Sequence, residues 1–345
     1  MSVSQVYPSD KRTMAKVKAL LERVDITLDE HLDYSCAVFD EEGEPIATGS
    51  AFGATLRCFA VHPEHQGEGL LNEVITHLME NRMEKGIYHL FVYTKPGSVK
   101  FFKDLGFSEI AEVPGLLGFL ENRRNGFSGY LKRLEKKQRP GQAAAIVMNA
   151  NPFTLGHRYL VETAAKENDA VHLFLLSEDA GPIPARVRHR LVREGVADLP
   201  NVVIHETGEY LISSATFPGY FLKSEEKILR TQARLDTALF VRIAQALDVT
   251  VRYVGSEPRS VVTGIYNEVL SEALPAQGIQ CRIIPRKELP DGRVISASAV
   301  RQAIHDGKLD AAADMLPETT LDFFRSEEAA PIVAAIRAEQ DVVHY

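Results

Sequence analysis

The sequence predicts a two-domain α/β protein: a smaller α+β region, then a larger region built on a parallel sheet with helices on both faces. Three observations predict it. The chain has 345 residues, enough for two domains of ordinary size. A basic stretch ending in Pro140-Gly141 separates two different patterns. Beyond it, apolar strand-like runs alternate with helical patterns of ten residues or more.

The first region, expected over residues 1–135, contains the β-like runs YSCAVFD, PIATGSAFG, TLRCFAVHP and IYHLFVYTK. Between the last two, GLLNEVITHLMENRMEKG sets Leu71, Val74, Ile75, Leu78 and Met79 at helical spacing. The stretch ENRRNGFSGYLKRLEKKQRPGQ (121–142) is rich in Arg, Lys and Gly; it suits a solvated linker or a surface that faces an acidic partner. The second region, residues 136–345, opens with the buried-strand run AAAIVMNA and a helix from about Gly156. Strand AVHLFLLS, helix ARVRHRLVREGVADL, strand NVVIHE and a helical stretch over 224–247 follow. Then come strand VTVRYVG, another helix, strand IQCRIIP and helices to the end.

Hydrophobic content of 45% and charged content of 25% are those of a soluble globular protein. A net charge of −8 argues against nucleic acid as main partner, which asks for a basic face. Cys36, Cys58 and Cys281 are an odd number without CxxC spacing, as expected of reduced thiols in the cytoplasm. The N-terminal residues show no secretory apolar segment, and no run approaches eighteen apolar residues, so no membrane association is expected.

Chemistry concentrates at two corners of the second region. The first lies in MNANPFTLGHRYLVETA (148–164), where Asn151, Pro152, Phe153, Thr154, Gly156 and His157 meet a helix start. A helix start offers unpaired N–H groups and partial positive charge, which favour an anion. Gly156 would let the backbone approach a phosphate closely. His157 can donate a ring N–H to phosphate oxygens, and Thr154 adds a hydroxyl. The second corner is ISASAVR, preceded by Asp291-Gly292: Ser296 or Ser298 caps a helix, and Arg301 supplies a forked cation. Either corner alone also reads as an ordinary N-cap. Their order and their places at strand ends favour a shared phosphate site, since ligands of parallel sheets gather at the carboxyl edge.

The pair resembles the signature of the nucleotidyltransferase superfamily, an (H/T)xGH loop followed by an ISxSxxR-type loop on a Rossmann-like α/β/α domain. Thr154 stands where many members carry the first His. The resemblance implies that His157, with Thr154 and Arg301, steadies the α-phosphate of ATP during attack. It implies that Asn151, Pro152, Phe153, Gly156, Ser296 and Ser298 hold the triphosphate, accompanied by Mg²⁺ that the protein barely contacts. GEYLISSATFPGYFLK (208–223), LDTALFVRIAQALDVTVRYVGSEP (235–258) and VTGIYNEVL (262–270) are similar to the citrate lyase ligase family. That resemblance covers essentially the whole chain. It implies that acetate and ATP form acetyl-AMP with release of pyrophosphate. The acetyl group would then pass to the thiol of the dephospho-CoA-derived prosthetic group on the acyl-carrier (gamma) subunit, activating citrate lyase. It also sets Gly255 and Glu257 against ATP and matches Arg188 to a family arginine that meets phosphate, a surface charge being the alternative. Asp236 and Glu257 suit metal, ribose or adenine contacts, or plain helix-surface and turn roles. TFPGY lines an acyl pocket or belongs to the core.

VHPEHQGEGLLNEV and, further on, SVKFFKDLGF resemble the GNAT acetyltransferase fold, whose Q/R-x-x-G-x-G/A loop wraps the pyrophosphate of CoA. Gln66, Gly67 and Gly69 form this loop, while Leu71 stands where the family has Gly or Ala. The loop would hold the prosthetic arm, hold acetyl-CoA, or be structural only. His62 and His65 have a spacing compatible with metal but sit beside Pro63 like solvated loop histidines, and no metal site is assigned. The alternative functions are an adenylyltransferase acting on a phosphopantetheine-like precursor and a non-catalytic nucleotide sensor.

Overall fold

Runs of apolar residues bounded by turn residues become strands, and the stripes at helical spacing become the helices that cover them. The computed structural model describes residues 2–179, 181–211, 217–222, 224–256, 261–340 and 342. They form two compact units, residues 1–129 with 218–238, and residues 130–217 with 239–345.

The first unit contains β1 (Ser4–Val6), α1 (Lys11–Arg23), β2 (Tyr34–Phe39), β3 (Pro45–Phe52), β4 (Thr55–Val61), α2 (Leu70–Glu84), β5 (Phe91–Thr94), α3 (Val99–Asp104), β6 (Ser108–Val113) and β7 (Leu117–Glu121). Its sheet runs β1-β2-β3-β4-β5-β7-β6. Helix α2 buries Leu70, Val74, Ile75 and Leu78, and Leu71 and Met79 pack partly buried on the same core. Gly49 on β3 permits this approach, because a Cβ there would lie 2.6 Å from Cγ1 of Val74.

Strands β4 and β5 pair in parallel only at Thr55–Phe91 and Leu56–Val92. Just beyond, Cys58 adopts a left-handed φ of 53°, where the β3–β4 register shifts. Tyr220 bonds both strands there. Its hydroxyl donates to the carbonyl of Tyr93 at 3.3 Å and accepts the N–H of Cys58, and its ring is buried with Val17, Leu20, Ala37 and Ala60. Tyr220 of the TFPGY run is therefore core of the first unit rather than the wall of an acyl pocket; Phe217, buried too, belongs to the second unit, and Thr216 lies outside the described residues.

The basic stretch is not a plain linker. Helix α4 (Gly126–Glu135) occupies its middle. The carboxylate of Glu121 accepts the N–H of Phe127 at 2.7 Å at the helix start, and Phe127, Tyr130 and Leu134 are buried at helical spacing. The units accordingly divide at 129/130 rather than at the expected 135/136, and the return of 218–238 to the first unit was not foreseen.

The second unit continues with β8 (Ala143–Met148), α5 (Leu155–Glu167), β9 (Ala170–Leu175), α6 (Ala185–Gly195) and β10 (Val202–Glu206). Helix α7 (Glu225–Leu247) joins it at Leu239, followed by β11 (Val249–Gly255), α8 (Val261–Ala273), β12 (Gln280–Ile284), α9 (Ala297–His305), α10 (Glu318–Arg325) and α11 (Ala330–Ala338). The sheet order is β10-β9-β8-β11-β12, with every pair parallel. Strand order reverses between β8 and β11, and such a reversal opens a crevice at the carboxyl ends of the strands.

Candidate functional site

The segment leaving β8 turns sharply over that crevice. Ala150 takes a left-handed φ of 52°, and the Asn151–Pro152 bond is cis. Phe153 then plunges into the core, fully buried against Gly195 of α6, where a Cβ would come within 2.4 Å of its ring. So the Phe153 side chain anchors the turn and is not available to ATP.

Thr154 caps α5 through a reciprocal box. Its Oγ1 accepts the N–H of His157 at 3.4 Å, and its own N–H donates to Nδ1 of His157 at 3.1 Å. Since a backbone N–H donates to Nδ1, that nitrogen carries the lone pair, and the neutral ring holds its proton on Nε2. The ring also lies parallel to Phe153, with centroids 6.0 Å apart. Burial, and then the cations Arg286 and Arg301, push the pKa of His157 down to about 4. At neutral pH His157 is thus an oriented, uncharged N–H donor.

The second corner begins at Ser296, whose Oγ accepts the N–H of Ala299 at 3.0 Å and lies 3.3 Å from Oγ of Ser298. Ser296 is committed as a cap, with the Ser298 hydroxyl beside it. The corners converge: a methyl group on Gly156 would lie 3.5 Å from both Cγ2 and the carbonyl oxygen of Ile295. A methyl there would make ordinary contact with the other corner, so Ile295 bounds the room for any larger side chain at Gly156. Arg301, nearly fully buried, donates from Nη1 to the carbonyl of Asn151 and from Nε to that of Val342 at 2.7 Å. It ties the corners together and contributes its charge from behind them, rather than pointing a free fork at a triphosphate.

Arg188 is neither a surface charge nor set for phosphate contact. It is 2% exposed and donates to carbonyls of Ile183, Asn149 and Glu178, bracing the turn after β8 against the segment after β9. Pro152 is buried. Asn151 is buried too, and its Oδ1 has no hydrogen-bond partner among the described residues. Gly255 ends β11 with open space where a Cβ would stand, and its carbonyl accepts Nδ2 of Asn267 at 3.1 Å. Glu257 lies outside the described residues, and Asp236 lies on α7 within the segment that belongs to the first unit.

Sequence reasoning missed Arg286. It stands two residues past β12, where its backbone N–H donates to Oγ of Ser256 and Nε donates to the Ser256 carbonyl at 3.1 Å. It depresses His157 more than Arg301 does. Its place just after a parallel strand was the available signal.

In the first unit, Gly67 and Gly69 adopt φ of 92° and 81°, and α2 starts at Gly69 without a side-chain cap. The Gln66–Gly69 loop is mostly exposed, with open space at both glycines. His62 is engaged by Arg23 at 2.7 Å and by the N–H of Glu64, and His65 by Glu68 at 3.1 Å. Among the described residues no group of three or more His, Cys, Asp or Glu is placed to hold a metal, and no helix is long and apolar enough to cross a membrane. Burial pushes the thiols of Cys36 and Cys58 up to about 12, which leaves them unreactive.

A five-stranded doubly wound sheet with two capped helix starts converging at its carboxyl edge defines a nucleotidyltransferase-type domain, here joined to a unit of GNAT type. Residues 143–324 match the citrate lyase ligase C-terminal domain, and residues 5–107 match the GNAT acetyltransferase family. The chain is 36% identical over 333 residues to the citrate (pro-3S)-lyase ligase of Escherichia coli K12, covering 94% of this chain and 93% of that protein. The ligases of Klebsiella pneumoniae (37%, covering 90% and 94%) and Haemophilus influenzae (33%, covering 92% and 96%) are similar at full length. The chain belongs to the citrate lyase ligase family.

Proposed function

We propose that the chain is an AMP-forming acid–thiol ligase that activates citrate lyase. It joins acetate to ATP as acetyl-AMP, then acetylates the thiol of the prosthetic group on the lyase's acyl-carrier subunit. The observation that carries the reading is the convergence of the two corners around the Nε2–H of a neutral His157. Acetate is ionised at neutral pH and needs no general base. One carboxylate oxygen attacks the α-phosphorus, the bond to the bridging oxygen breaks, and pyrophosphate leaves. Charge grows on the α-phosphate oxygens, where His157 donates, while Ser298, the N–H groups starting α5 and α9, and the cation of Arg286 hold the tail. In the second half-reaction sulfur attacks the acetyl carbon, the bond to the AMP oxygen breaks, and the thiol proton passes to solvent.

Mg²⁺ would arrive on the triphosphate oxygens and balance their charge. The described residues offer it no carboxylate cage, so no step here is routed through it. In the first unit, the backbone N–H groups of Gln66 to Gly69 suit the pyrophosphate of the carrier's CoA-like arm; Leu71 packs on the core and leaves that loop open. The test is ATP–pyrophosphate exchange with acetate, propionate or citrate. Exchange with acetate, and free AMP after transfer, support the ligase; AMP retained in a dinucleotide product indicates an adenylyltransferase.

A further inference from the structure

We propose that the cationic face at the end of α4 and the turn after it is the docking surface for an acidic face of the acyl carrier, an inference that rests on the function proposed above. Lys132, Arg133, Lys136, Lys137 and Arg139 are all exposed. None of the five has a carboxylate partner among the described residues; the aromatic contact of Arg133 with Tyr130 is made at 5.9 Å. Elsewhere in the same unit several arginines are paired, Arg190 with Glu328, Arg193 with Glu206, Arg293 with Asp314 and Arg325 with Asp310, while the exposed Lys166, Arg186 and Lys308, without a carboxylate partner among the described residues, are well separated along the chain. Five such cations within residues 132–139 stand out in a chain of net charge −8.

The helix itself accounts for only part of the cluster. Lys132 and Arg133 complement the partial negative charge of its last turn. Lys136, Lys137 and Arg139 lie beyond it, in the turn and the segment that follows, so helix capping does not account for them. The field is felt inside the sheet as well: after burial, Arg139 and Lys137 are what lower the pKa of His172, and Lys137 also lowers that of His205.

The stripe has a direction. Tyr130 on α4 donates to the carbonyl of Glu206 at the carboxyl end of β10, while Gln142 accepts the N–H of Asp169 at the amino edge of the sheet. The cations thus run beside the sheet, starting near the edge that carries the phosphate corners. A small acidic protein can meet this stripe on one face. A nucleic acid would extend its phosphates over the acidic remainder of the chain.

The test uses the full-length protein with Lys132, Arg133, Lys136, Lys137 and Arg139 all changed to glutamate. Acceptors are the citrate lyase carrier subunit with its thiol arm, and free dephospho-CoA. For the carrier at low salt, kcat/KM should fall roughly tenfold or more, with a much flatter salt dependence. Transfer to dephospho-CoA and acetate-dependent exchange should stay unchanged. Should the fivefold variant not fold, Lys136→Gln with Lys137→Gln, confined to the turn, should still cost roughly twofold to fivefold with the carrier alone. An unchanged rate with the carrier, or equal losses with both acceptors, overturns the proposal. So does an oligonucleotide that binds the unaltered protein and not the variant while carrier kinetics hold. If the unaltered protein shows no exchange with acetate, the proposed function fails first, whatever the docking result.

Discussion

Replacing His157 with alanine removes a donor that its capping box has already aimed. The expected loss in acetate-dependent ATP–pyrophosphate exchange is a hundredfold to a thousandfold, about 3–4 kcal/mol, the scale for one preorganised donor at developing charge. ATP affinity should change by less than about tenfold, because the helix N-termini and Arg286 remain. A second effect follows from the environment of the ring. The folded protein holds His157 at about 4 through burial and the neighbouring Arg286 and Arg301. An unfolded chain takes up the proton near the ordinary value of about 6.5. Stability supplied by the neutral ring is thus fully present above pH 6.5 and drains away as pH falls toward 4. At about 1.4 kcal/mol per pH unit the gap corresponds to about 3 kcal/mol. Urea unfolding of both proteins at pH 7 and pH 4 should show His157→Ala losing less stability on acidification by about that amount. Exchange by the unaltered enzyme should hold down to about pH 5. A loss in exchange smaller than tenfold, or an inflection near pH 6.5 in the unaltered enzyme, would refute the neutral-donor reasoning.

Gly156→Ala places a methyl in ordinary contact with Ile295 and should keep exchange within about threefold, whereas Gly156→Leu forces the corners apart and should abolish it; steady-state exchange assays on both decide. The buried pair His172 and His205, bonded at 2.9 Å, is held neutral by burial, with one further nitrogen on each ring lacking a hydrogen-bond partner among the described residues. His172→Leu with His205→Phe should be near neutral at pH 7 and move the acid-unfolding midpoint down by about half a pH unit, followed by circular dichroism. Tyr220→Phe loses the hydroxyl that bonds both β4 and β5 and should cost about 1–3 kcal/mol in urea denaturation.

The parallel sheet was legible because strands buried on both faces leave near-continuous apolar runs, and AVHLFL is buried at every position. Helix α4 was hidden by its own surface: seven Arg and Lys over 121–142 masked the buried stripe of Phe127, Tyr130 and Leu134. Tyr220 could not be placed, since its partners Tyr93 and Cys58 are more than a hundred residues away. Residue types at the two corners pointed to the candidate site, but types do not report direction. Phe153, Arg188 and Arg301 sit where the motifs put them and turn their side chains inward, the Phe153 ring against Gly195 and the two guanidiniums toward backbone carbonyls such as those of Asn149 and Asn151.

That inward turn is itself informative about how such a site works. A corner that meets a triphosphate must keep its N–H groups aimed without the ligand, or its donors would have to reorganise as charge develops. Turns cannot do this alone; they expose carbonyls that need partners. Arg188 supplies one such bond to Asn149 in the turn after β8 and two to Glu178 and Ile183 after β9, and Arg301 supplies one to Asn151 and one to Val342. A lysine in either place could not serve carbonyls in different directions from one planar group. Arg301 therefore does two jobs. It holds the turn and, after burial and with Arg286, keeps the imidazole uncharged, so that in the proposed reaction His157 would meet the α-phosphate as a donor whose proton is already on Nε2.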